Sequence, residues 1–90
     1  MKNEKEINER ISQTRIRITK TTTKIEEKIN DNEWIVKNQE IIGTYFNNAR
    51  AFLSYVFFVS FEKKRIDAKK IAKLIDAVSN SINDIKEVLK

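Results

Sequence analysis

The chain of 90 residues has no cysteine, no histidine and no proline, and a single glycine, Gly43. Each absence removes a class of protein. Without Cys or His there is no disulfide framework, no thiolate or imidazole metal site, and no Ser-His-Asp or Cys-His catalytic arrangement. One glycine cannot build a phosphate-binding loop or a dinucleotide fingerprint. Long apolar runs are missing as well: the longest, Ala51 to Phe61, covers 11 residues and is interrupted by Ser54 and Ser60, short of the roughly 20 that a membrane span needs. The opening Met1-Lys2-Asn3-Glu4-Lys5-Glu6 is charged throughout and no apolar signal region follows it. The expectation is a soluble, cytoplasmic protein that does not enter a membrane.

With almost no Pro or Gly for punctuation, long helices are the default and their ends must be found from capping residues. Asn3-Glu4-Lys5-Glu6 fits a capping box, Asp67 is a good N-cap for the segment that follows it, and Asn30-Asp31-Asn32 offers a break. Three helices are expected, over about 4 to 30, 32 to 63 and 67 to 89. They imply an all-α fold, an antiparallel three-helix bundle in one domain spanning 1–90. A chain this short buries a modest core, so self-association or membership of a larger complex would add useful burial.

Periodicity supports that architecture. In the third segment Ile71, Ile75, Val78, Ile82, Ile85 and Leu89 step by 4, 3, 4, 3 and 4, a clean helical stripe. The first segment carries a thinner stripe of Ile7, Ile11, Thr14, Ile18, Thr22, Ile25 and Ile29. The β-branched run Ile18 to Thr23 is its weak point, and Thr23-Lys24-Ile25-Glu26 could cap a second helix after a break there. In the second segment Trp34, Ile35, Ile41, Ile42, Tyr45, Phe46, Ala49, Phe52, Leu53, Val56, Phe57 and Val59 spread over about 160° of a helical wheel, nearly twice what one partner helix covers. That helix is therefore expected at the centre, against both others, with Trp34 packing at the core edge. Gly43 at the edge of the arc reads as a close helix contact or a kink.

The net charge of +5 conceals two basic blocks. No acid occurs between Glu9 and Glu26, where Arg10, Arg15, Arg17, Lys20 and Lys24 lie; the second block holds Lys63, Lys64, Arg65, Lys69, Lys70 and Lys73 around the single Asp67. Arg10, Gln13, Arg17, Lys20, Lys24 and Lys28 form a stripe beside the apolar one, and in an up-down-up bundle the two blocks share an end and could merge. Clustered cations suit phosphate, whose condensed counterions they displace, although a solvated charged face is the plainer alternative. Arg10, Arg17, Lys20, Lys24, Lys64, Arg65, Lys69, Lys70 and Lys73 are the candidate phosphate contacts. A second feature is Arg50, Phe58 and Phe61 on the side of the middle helix opposite its core arc, leading into Lys63-Lys64-Arg65. They suit a protein interface, base stacking, or simple cover by a neighbouring segment.

Nothing points to catalysis. Ser60-Phe61-Glu62-Lys63 matches Ser-x-x-Lys, but the Ser-Asp-Asn and Lys-Thr-Gly companions are missing. The carboxylates of Glu26, Glu27, Asp31, Glu33, Asp76, Asp84 and Glu87 are scattered without a loop of alternating oxygen ligands. The expectation is a non-enzymatic helical subunit with no cofactor, metal or small-molecule substrate, contacting nucleic-acid backbone within a larger assembly beside other protein subunits or its own copies. Base-specific reading is not indicated, since no helix-turn-helix, finger or RNP pattern occurs. In size and charge the chain resembles in type the small helical subunits of CRISPR effector complexes, which implies a place along a nucleic-acid path and a role in antiviral defence. The alternative is a helical interaction module, such as an immunity, phage-encoded inhibitor or adaptor protein, whose basic stripe meets an acidic protein.

Overall fold

A computed structural model describes residues 4–90, which form α1 (Glu4–Glu26), α2 (Asn32–Lys37), α3 (Gln39–Glu62) and α4 (Ala68–Leu89). The long helices pack as an all-α antiparallel bundle with extents of 43 × 22 × 17 Å, α1 and α4 pointing one way and α3 the other. Asn3, the N-cap of the expected capping box, lies outside the described residues.

The cleanest stripe in the sequence forms the most amphipathic helix. Asp67 caps α4, its carboxylate accepting hydrogen bonds from the N–H groups of Lys69 and Lys70 at 3.0 and 3.2 Å. Ile71, Ile75, Val78, Ile82 and Ile85 are all buried, each contributing about 1.5–3 kcal/mol of transfer free energy. Close backbone approach runs from α4 to α1 and from α4 to α3. The middle helix meets both others as expected, α1 through Tyr45, but close backbone approach on both sides belongs to α4, most of all against α3. Asn48 on α3 fastens this contact, donating from Nδ2 to Ser81 Oγ at 2.6 Å.

The threonine run does not break α1, which continues through Ile18 to Thr23. Thr14, Thr19 and Thr23 donate their hydroxyls to the carbonyls of Arg10, Arg15 and Thr19 at 2.8, 3.1 and 3.0 Å, so these side chains follow the helix instead of competing with it. Burial of Ile18, Thr21 and Ile25 on one face outweighs their low propensity. The stripe differs from expectation at two places: Thr21 replaces Thr22 in the core, and Ile29 is exposed because α1 ends at Glu26 and the chain turns before Asp31. Thr22 instead meets Tyr45 of α3. That phenol, fully buried, donates to the Ile18 carbonyl at 2.8 Å and lies 2.9 Å from Thr22 Oγ1.

The expected helix over 32–63 is two helices. Asn38 interrupts it at φ −110° and ψ 19°, with both its backbone N–H and its Nδ2 donating to the Trp34 carbonyl. The side-chain amide takes the place of the next helical turn. Asp31 caps α2 by accepting from Trp34 N, and the Trp34 indole N–H donates to the Val88 carbonyl at 2.9 Å. Trp34 thus packs at the core edge as expected, pinning α2 across the last turn of α4.

The wide apolar arc of α3 is only partly covered. Tyr45, Ala49, Phe52 and Val59 are buried and Trp34, Ile35, Ile41, Ile42 and Val56 are partly so, but Phe46, Leu53 and Phe57 are exposed, against expectation. The neighbouring helices meet α3 through Tyr45, Ala49, Phe52 and Val59 and leave the edge of the arc that carries Phe46, Leu53 and Phe57 in solvent. Gly43 is neither a close contact nor the break. A Cβ placed there meets nothing within 4 Å.

Candidate nucleic-acid interface

Arg17, Lys20 and Lys24 recur at helical spacing on the flank of α1 that faces α4. Parallel packing sets this flank beside the last turns of α4, with Arg17 Nη1 donating to Ser79 Oγ at 3.0 Å. The result is a groove walled by Arg17, Lys20, Thr21 and Lys24 on one side and by Lys86, Leu89 and Lys90 on the other, with Ile82 and Ile85 below. No carboxylate lines it. Among the described residues Arg17, Lys20, Lys24 and Lys86 have no ion-pair partner, while Lys90 pairs with Glu87 at 3.2 Å. Two like charges about 10 Å apart in water repel by about 0.4 kcal/mol. A polyanion laid along the groove relieves several such pairs at once and releases its own counterions.

The remaining cations lie elsewhere. Lys63, Lys64 and Arg65 border an opening at the opposite end of the bundle, with Ile7, Asn8 and the carboxylate-bearing Glu4 in the same wall. Lys24 is 17 positions along α1 from Ile7, or about 25 Å at 1.5 Å per residue. The first half of α1 and the start of α4 share an end, as expected, and bring Arg10 beside the second block, whereas Arg17, Lys20 and Lys24 run on towards the other end of the bundle. Arg10 lines a small opening with Ala68, Ile71 and Ala72 at the start of α4. Lys70 turns towards α3, its Nζ 5.0 Å from the Tyr55 ring centroid, and Lys64 lies 5.2 Å over Phe58. Lys69 and Lys73 are exposed on the back of α4, opposite its core stripe.

Sequence reasoning missed Lys86. It sits among Asp84 and Glu87, so its segment carried no net basic signal. The available clue was Lys86 and Lys90 at i and i+4, on the flank of α4 that a parallel α1 must face. Arg50, Phe58 and Phe61 are exposed, which removes the alternative that a neighbouring segment covers them.

Among the described residues no three carboxylates come together as a metal site, and no helix is long and apolar enough to cross a membrane. The chain matches no protein-family model, and neither a curated protein nor a solved structure matches it.

Proposed function

We propose that the protein is a non-enzymatic helical subunit that holds a nucleic-acid backbone through the α1–α4 groove, in an assembly with other chains. The observation that carries this reading is the convergence of Arg17, Lys20, Lys24 and Lys86 on one groove with no acid in its lining. Phosphate contacts of this kind are independent of base sequence and weaken steeply with salt. Lys64, Arg65, Lys69, Lys70 and Lys73 play a secondary part, extending the positive field along other faces.

The test is fluorescence anisotropy of labelled single- and double-stranded DNA and RNA at about 50 and 200 mM salt, where three or four phosphate contacts predict a loss of roughly tenfold to a hundredfold in affinity. Arg17→Glu with Lys24→Glu should abolish binding with helical content retained. Binding unchanged in that variant sinks the groove assignment. No binding at low salt by the unaltered protein favours the second reading, an interaction module for an acidic protein, which the exposed aromatic residues of α3 support.

A further inference from the structure

The exposed side of α3 has a period of its own. Gly43, Phe46, Arg50, Leu53 and Phe57 step by 3, 4, 3 and 4, the spacing of a helix seam, and all five are exposed. Phe46 and Leu53 are 39% and 38% exposed, Phe57 and Phe61 70% and 73%, and the last two rings stack at 6.0 Å and 16°. At about 200 Å² per full aromatic side chain, this stripe leaves roughly 400 Å² of apolar surface in water, within the range of the largest patch on a monomer, which is often functional.

We propose that a second copy of this chain covers the stripe, with the two α3 helices antiparallel about a two-fold axis between residues 51 and 52. Three observations select this occupant. Charge selects the direction: no acid lies between Glu40 at the start of α3 and Glu62 at its end, and Lys63, Lys64 and Arg65 follow. A parallel pair would set the three cations of one copy on those of the other, whereas an antiparallel pair carries Glu40 towards the second copy's Lys64. Shape selects the register. Phe46 then meets the second copy's Phe57, and Arg50 lies between the second copy's Leu53 and Phe57, its guanidinium over the ring. Gly43 faces the second copy's Ser60, with Phe61 beside it. That placement also accounts for the glycine, which lowers helix stability relative to Ala and whose missing Cβ no contact within the chain requires. Area is the third: the apolar stripe from two copies amounts to about 800 Å², the size of a weak interface that forms at high concentration and separates on dilution.

The test is light scattering or sedimentation of the whole chain without nucleic acid, from about 1 to 300 µM so that mass action is visible. The expected result is a mass of twice 10.6 kDa at high concentration, falling on dilution. Gly43→Leu should weaken the dimer at least tenfold while raising the melting temperature of the diluted monomer, since a larger residue at that open site clashes only with a second copy. Phe57→Ser with Phe61→Ser should leave a monomer of unchanged helical content. A monomer at every concentration, or a dimer that survives both variants, overturns the proposal. None of these residues lines the α1–α4 groove, so either result leaves the reading of that groove to its own test.

Discussion

Lys63 and Tyr45 show how much can rest on one residue. Lys63 closes α3 in the left-handed conformation, φ 56° and ψ 36°, where its N–H donates to the Ser60 carbonyl and that of Lys64 to the Val59 carbonyl. This six-to-one closure normally uses glycine, because a Cβ is strained there. Lys63→Gly should therefore raise stability by roughly 0.5–1 kcal/mol, read as a rise of a few degrees in the melting temperature; a fall would mean that the Lys63 side chain contributes more than its backbone loses. At Tyr45, burial raises the phenol above its ordinary pKa of about 10, partly offset by the Thr22 and Thr21 hydroxyls. The unfolded chain then loses this proton first, so the Tyr45 contribution is complete below pH 10 and is lost as the pH climbs beyond it. Denaturant midpoints measured between pH 9 and pH 11 should fall more steeply in the unaltered protein than in Tyr45→Phe, and parallel curves would show that Tyr45 plays no part in alkaline unfolding.

At the scale of elements, α4 was legible in the sequence to within a residue because its information is local: an Asp67 cap and an apolar stripe of constant period. The division of the middle helix at Asn38 was not. The stretch Trp34-Ile35-Val36-Lys37-Asn38-Gln39-Glu40 contains no Pro or Gly, and the break rests on the Asn38 side chain bonding the Trp34 carbonyl, beside a Trp34 indole held by the Val88 carbonyl 54 positions away. Continuity of α1 through its threonines is likewise settled by burial on one face and not by propensity. Trp34→Phe keeps the ring and removes the donor, a change of about 1 kcal/mol. Amide exchange should then quicken in the last turn of α4 and in α2, with the middle of α4 unaffected. Uniform acceleration across α4 would indicate that Trp34 acts by packing alone.

The whole molecule rests on one thin layer of side chains, since a 90-residue chain has few residues it can bury completely. Ile82, at 1% exposure, lies near the middle of that layer. Ile82→Ala should lower stability by about 3 kcal/mol and the melting temperature by roughly 15 °C; a loss under about 1 kcal/mol would mean that the core collapses around the cavity. Of the candidate interface, the stripe Arg17, Lys20 and Lys24 was readable from spacing on α1, but the partner that turns it into a groove, Lys86, was not, because nearby acids hide it in any sum over the chain. The exposed rings of α3 were misjudged for a related reason: a wheel gives the width of an apolar arc, and only the approach of the neighbouring helices decides how much of it they reach. The link from Trp34 to α4 has a consequence for observation. Trp34 is the only tryptophan in the chain, and the carbonyl it holds belongs to Val88, next to the Leu89 and Lys90 that wall the basic groove. Its emission spectrum is thus an intrinsic optical reporter of that wall, present without a label and outside the groove lining itself.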